Sequence, residues 1–382
     1  MSQAIHIHPQ MITWAIARAG FQLDEFAEKF PKVKDWLNNT GHPTLPQLKD
    51  FSKRVHVPFG YLFLPAPPVE QLPITFFRTG RAATDNISLN VRETVQLLQR
   101  RQEWLSDYLQ EIGEEPLPFV GKFGIQATPE TIAADMRSTL GLTTDWASHF
   151  PNWSAAKAHL VEKIEDIGIV ISLNSVVENS NKRRIDPAEC RGFVLVDDYA
   201  PFLFVNNADS KAAQMFTLAH ELAHVWLGQG AGFDSAMLLP ADDPVEQLCD
   251  RSAAEFLVPG SAFGAFWVEK PDTAAAARYF KVSEIVAARR ALDLGFWSET
   301  QFFGFYRQFM QRDFDKKGPN DGGNFYLTQK ARLGLPFLSR VHGALGAGHI
   351  LHREAYQLTG LRGDTWQKVT QKILTAHAPL SA

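Results

Sequence analysis

The chain has 382 residues, 45% of them hydrophobic and 21% charged. That balance excludes wholesale disorder and implies two or three folded units at ~150 residues each. The 38 basic and 42 acidic side chains leave a net charge of −4, so no global field draws the protein toward nucleic acid or an anionic membrane. Two distant cysteines, Cys190 and Cys249, exclude a disulfide framework. No run approaches the ~18 apolar residues of a membrane span. The first ten residues lack the basic and apolar regions of a signal peptide, so a cytoplasmic location is expected.

Residues 9 to 56 read as four short helices. Apolar side chains recur three and four apart, as in Ile12, Ala15 and Ile16, and Gly20, Pro31 and Gly41-His42-Pro43 punctuate them. Short helices with tight turns are the pattern of helix-turn-helix modules. A proline-rich connector follows, in which Leu62, Phe63, Phe76 and Phe77 are expected to dock rather than stand in water. A long helix is predicted over Ser88–Ile112, then two more ending near Leu140 and Ile167. Residues 168–177, 191–198 and 201–207 carry β-branched and aromatic runs bounded by Gly, Asn and Asp, the last two forming a hairpin. Helices are predicted over Lys211–Leu227 and Pro244–Leu257, and the rest is mostly helical around the loop KKGPNDGGN.

The segment FTLAHELAHVWLG, residues 216–228, carries the chemistry. His220 and His224 are four apart, so on a helix both imidazoles leave the same face at metal-ligand separation. Glu221 lies beside that face, placed to accept a proton from a metal-activated water without taking a coordination position. The same three residues also fit an ordinary polar helix face. Downstream, Glu246 and Asp250 share one face of the next helix, a placement that the helix macrodipole alone would also favour.

FTLAHELAHVWLG followed by EQLCDRSAAEFLVP resembles the ImmA/IrrE family of bacterial metallopeptidases, which have a gluzincin-like site. The upstream PTLPQLKDFSKRVHVPFGYLFLPAPPVEQLPITFFRT is similar to the XRE-type helix-turn-helix and connector of longer members. FKVSEIVAARRALDLGF and GGNFYLTQKARLG are similar to their tails. Ser252 departs from the family, which usually carries an aromatic residue there. The resemblance implies zinc, one ion per chain, held by His220, His224 and Glu246. It implies Glu221 as general base and acid, and Asp250 bonded to a ligand histidine. No oxyanion donor is assigned: Tyr199, Tyr326 and His349 are candidates by residue type only, and each fits a structural role better. The hairpin of residues 191–207 is a candidate edge for pairing with an extended substrate.

The expected fold is α+β and mostly helical. An XRE-like helix-turn-helix bundle over 1–66 and a helical connector over 67–150 precede a zincin-like core with a small sheet over 151–262 and a helical region over 263–382. The expected function is zinc-dependent cleavage of a regulatory protein, a repressor or antitoxin-like partner. The alternative is an XRE-type DNA-binding regulator whose metal is sensory or structural. Between residues 1 and 60, seven Lys and Arg face five acids, a modest excess for a phosphate-binding surface. The recognition-helix candidate VKDWLNNTG offers Lys34, Asn38 and Asn39 to DNA, with Asp35 opposed, although Asn38 and Asn39 also fit a helix end. Arg289 and Arg290 are expected on a solvated helix face.

Overall fold

The computed structural model describes residues 5–68, 75–78, 81–82, 87–229, 231–233, 243–312 and 324–375. For 75–78, 81–82 and 231–233 it describes the backbone alone. The docking expected of Phe76 and Phe77, and all of KKGPNDGGN except Asn324, lie outside the described side chains. The chain divides into two compact units, Met1–Leu72 with Asn86–Glu93, and Pro73–Asp85 with Thr94–Ala382. Among the described residues no helix is long and apolar enough to cross a membrane.

The first unit holds α1 (Pro9–Arg18), α2 (Leu23–Lys29), α3 (Lys32–Leu37), α4 (Leu45–Arg54) and a 3-10 turn at Phe59–Phe63. Proline in the first turn starts α1 and α4, where its missing N–H is no loss. Ile12, Ile16, Phe26, Trp36, Leu48, Phe51 and Leu62 form its core. Phe51 meets Phe26 and Trp36 edge to face, at 5.8 Å in each case. The α3 helix is only six residues long. Asn38 is its C-cap and Asn39 has φ 54°, so both asparagines end the helix.

Helix α5 (Leu89–Glu111) begins in the first unit and continues in the second. The second unit then contains α6 (Pro129–Thr139), α7 (Trp153–Asp166), α8 (Lys211–Leu227), α9 (Pro244–Leu257), α10 (Gly260–Glu269), α11 (Thr273–Phe280) and α12 (Glu284–Asp293). It closes with α13 (Glu299–Met310), α14 (Phe325–Leu333), α15 (Leu335–Gly346), α16 (His352–Thr359) and α17 (Gly363–Thr375). Its strands are β1 (Thr75–Arg78), β2 (Arg81–Ala82), β3 (Val170–Asn174), β4 (Gly192–Leu195), β5 (Phe202–Asn206) and β6 (Ala231–Phe233). The predicted helices and strands that fall on described residues are all present, and the fold is the expected mostly helical α+β type.

The strands form one mixed sheet in the order β2-β1-β6-β4-β5-β3. β4 and β5 make the expected antiparallel hairpin, in register from Gly192↔Val205 to Leu195↔Phe202. β3 runs parallel to β5. All residues of β3, β4 and β5 are buried, as a sheet covered on both faces requires. Alternation then sorts the side chains. Ile171, Leu173, Val194, Leu203 and Val205 join Leu160 of α7, Leu218 and Leu222 of α8 and Phe256 of α9 in one core. On the opposite face Phe202 meets Phe337 of α15 at 5.7 Å, and Gln102 of α5 donates to the carbonyls of Leu195 and Ala200 at 2.6 and 3.0 Å.

The hairpin is not a free edge. β4 pairs with β5 on one side and with β6 on the other, through Gly192↔Phe233 and Phe193↔Gly232. The expectation that residues 191–207 offer an unpaired edge to substrate is therefore corrected, because the short β6 following α8 takes that position.

Candidate metal centre

Helix α8 starts at Ser210, whose hydroxyl accepts from the amide of Ala213 at 3.2 Å, and ends at Gly228 with φ 68°. Helix α9 starts at Asp243, whose carboxylate accepts from the amides of Val245 and Glu246 at 2.8 and 3.2 Å. Glu246 thus sits in the first turn, where the helix dipole favours a negative charge.

The two helices bring three predicted residues together. His220 Nε2 lies 3.1 Å from His224 Nε2 and 3.2 Å from one Glu246 oxygen, and His224 Nε2 lies 3.3 Å from the other. All three side chains are buried, and the group is one that could hold a metal ion. The edges of this cluster test the fit. A tetrahedral zinc with bonds of ~2.0–2.1 Å has ligand–ligand edges of about 3.3–3.4 Å, close to those observed. Two ring nitrogens cannot both direct lone pairs at one another at this distance without a proton or a cation between them. The donor set of two imidazoles and a carboxylate leaves a tetrahedral metal one position for solvent.

Asp250, one turn beyond Glu246, lies with Oδ1 2.9 Å from His220 Nδ1. With Nδ1–H donating to Asp250, the His220 lone pair on Nε2 faces the cluster. Burial works to lower the His220 pKa, but the hydrogen bonds to Asp250 and Glu246 outweigh it and hold the imidazole well above its ordinary value. Burial dominates at His224 and lowers it, against the bond to Glu246. Burial would raise Glu246, yet its bonds to the two histidines hold the carboxyl far below the usual carboxylate range. A group so easily ionised suits a cation.

Glu221 is fully buried, and neither of its carboxylate oxygens has a hydrogen-bond partner among the described residues. Burial raises its pKa well above the ordinary value, with the charge of His220 opposing and that of Glu246 reinforcing. An unpartnered buried carboxyl is costly to hold, and a raised proton affinity beside a group that could hold a metal ion is what a general base would need. Its place depends on Gly192, which is not singled out by the sequence. A Cβ on Gly192 would stand 3.2 Å from Glu221 Oε1, 2.8 Å from the Phe204 carbonyl oxygen and 2.4 Å from Thr217 Cγ2. The available signal was a glycine inside a strand, which marks close approach of another group.

A second device holds α8 from behind. The amides of Gly121 and Phe123 donate to the carbonyls of Val225 and Trp226 at 2.9 and 3.0 Å. Trp226 stacks on Phe119 at 4.6 Å and donates from Nε1 to Asp135 at 2.8 Å. The segment between α5 and α6 therefore satisfies the last carbonyls of the helix that carries the histidines.

The three oxyanion candidates are not brought to the cluster. Tyr199 lies in the turn joining Leu195 to Phe202, the far end of the hairpin from Gly192. Tyr326 on α14 lies under Lys372, whose Nζ is 4.3 Å from the ring centroid. His349 packs on Tyr108 and Glu111 of α5. Arg290 also departs from expectation. It is buried and paired with Glu255 of α9, while Arg289 bonds Asp293 at 2.8 Å on the solvated side. Ser252 is wholly buried with no hydroxyl partner among the described residues, and Cys249 is buried beside it, its thiol pushed up chiefly by burial.

Comparison with known families places the same segment. Residues 164–292 match the IrrE N-terminal-like domain family, Peptidase_M78. This span runs from the end of α7 to the end of α12 and contains the cluster. No curated protein matches the chain. Residues 164–292, with their buried His-His-Glu group, are a metallopeptidase domain of the IrrE N-terminal-like type.

Proposed function

We propose that the protein is a zinc-dependent endopeptidase that cleaves a regulatory protein. His220, His224 and Glu246 hold the ion, Glu221 moves the proton, and Asp250 orients His220. Zinc is favoured over harder cations by two imidazoles in a three-ligand set with tetrahedral spacing. Bound there, the metal would polarise the scissile carbonyl and lower the pKa of a water beside it. Glu221 accepts the proton of the attacking water and returns it to the leaving amine. Gly192 leaves the carboxylate room, and the bonds from Gly121 and Phe123 brace the helix that carries it. The observation that carries this reading is a buried, unpartnered carboxylate one residue along the helix from His220 of the cluster. A purely structural metal site has no use for such a group.

The substrate class, a repressor or antitoxin-like protein, rests on the resemblance to ImmA/IrrE peptidases. We assign the N-terminal unit to partner recognition. A recognition helix reads base edges with its N-terminal residues, and six-residue α3 carries Asp35 in its first turn and ends at Asn38 and Asn39, which favours a protein over the DNA major groove.

Metal analysis combined with whole-proteome mass spectrometry tests the function. Wild type should carry about one zinc per chain, and a small set of proteins should disappear on induction. Glu221→Gln should keep the zinc and spare those proteins. If they disappear equally with Glu221→Gln, the enzyme reading is wrong.

A further inference from the structure

On the sheet face turned away from α8, a pocket is lined by residues of α5, β3, α14 and α16. Two arginines stand in its wall. Arg101 of α5 is 7% exposed, its Nε donates to the Leu358 carbonyl at 2.8 Å, and its guanidinium lies 5.6 Å from the Phe337 ring centroid. Arg332 of α14 donates from one Nη to Asn179 Oδ1 at 2.6 Å.

Neither guanidinium has a carboxylate within ion-pair distance among the described residues. Buried charges are normally paired. Burial lowers Arg101 to about 10, with Glu178 opposing from farther away. Several of the acceptors around the pocket are already engaged. Asn179 Oδ1 takes both Arg332 and Gln329, and Asn174 Oδ1 takes the amide of Ser175 at 2.9 Å. The hydroxyls of Ser172 and Thr359 lie 2.8 and 2.7 Å from the carbonyls of Arg332 and Ala355, to which they donate. Both Nη groups of Arg101 and the second Nη of Arg332 remain as charged donors, beside the Glu178 carboxylate and the side-chain oxygens of Gln329 and Gln357.

From this arrangement we infer that the pocket binds a small molecule through an oxyanion, a carboxylate or a phosphate ester, gripped between Arg101 and Arg332. Planar guanidinium forks match both groups in bidentate geometry. Glu178 also lines the pocket and is exposed, so its charge works against the anion and sets a ceiling on affinity. The site is separated from the metal cluster by the sheet and does not depend on the peptidase reading.

Titration of the full-length protein with inorganic phosphate and with succinate, at ionic strength held constant by sodium chloride, tests the site. The readouts are calorimetry and thermal melting. At least one probe should bind saturably and raise the melting temperature. Arg332→Gln should weaken that binding at least about tenfold, the scale of a lost charge-assisted pair. Glu178→Gln should tighten it, and Arg340→Gln, which removes an exposed charge paired with Glu114, should leave it unchanged. A response to phosphate alone assigns a phosphate ester, and a response to succinate alone a carboxylate. No saturable response to either probe overturns the inference, as does an equal response in Arg332→Gln.

Discussion

Glu221 and Gly192 are paired across the helix–sheet interface: the carboxylate Oε1 lies 3.2 Å from where a Cβ would stand on the glycine. The same Cβ would meet Thr217 and the backbone of Phe204 still more closely, so Gly192→Ala must push α8 and β4 apart. Overpacking of this kind costs roughly 1–3 kcal/mol. Because the displaced helix face carries Glu221, activity should fall further than stability or metal content. Zinc content, urea midpoint and cleavage rate measured together would check this. A variant destabilised but with its cleavage rate untouched would show that Gly192 serves packing alone.

Asp250 lies with Oδ1 2.9 Å from His220 Nδ1, and under the proposed function it acts through that ring. Removing the carboxylate takes away the acceptor that orients the ring and raises its basicity, while His220, His224 and Glu246 all remain. Loss of such a partner typically lowers metal affinity roughly 10–100-fold. Asp250→Ala should therefore lose zinc to a competing chelator at a concentration that leaves wild type loaded, and Asp250→Asn should fall between them. Equal retention by all three proteins would remove Asp250 from the site.

The parts of this centre that sequence revealed are those close together along the chain. His220, Glu221 and His224 share one helix, and a spacing of four fixes their common face. Asp250 follows Glu246 by the same rule. The convergence of Glu246 on His220 depends on how α9 crosses α8, which no periodicity encodes, so the resemblance to a known family had to supply it. Gly192 meets Glu221 only through the register of β4. Arg290 reads as a solvated residue in a helical repeat, and its burial against Glu255 is set by tertiary packing. Likewise β6 is three residues long, too short for a sequence signal, yet it removes the free edge that the hairpin was expected to present.

The α8 clamp makes Gly228 a mechanical residue. Its φ of 68° is the left-handed conformation, and a Cβ there would stand 2.9 Å from the Gly121 Cα. Gly141 has a similar φ of 64° but nothing within 4 Å of its Cβ position. Gly141→Ala should therefore carry only the conformational penalty of about 1 kcal/mol. Gly228→Ala should carry that and a backbone clash, and should also speed amide exchange at Gly121 and Phe123, which bond the helix end. Equal destabilisation by the two substitutions would mean that the segment around Gly121 yields freely and does not brace the helix.

Glu165, near the end of α7, gives the protein a pH dependence unrelated to the metal. Its Oε1 accepts from the amide of Leu335 at 2.9 Å, but burial outweighs that bond and pushes the carboxyl from 4.5 up to about 7. Between these values the folded state holds a proton that the unfolded state has released, so stability falls as pH rises through this window. The effect is on the order of 1–3 kcal/mol. Glu165→Gln keeps an oxygen for Leu335 and cannot ionise, so the variant should lose this decline. Its stability should match wild type near pH 4.5 and exceed it at pH 8. Melting curves of the two proteins across that range measure the difference directly. A difference that stays constant with pH would mean that Glu165 ionises freely where it stands.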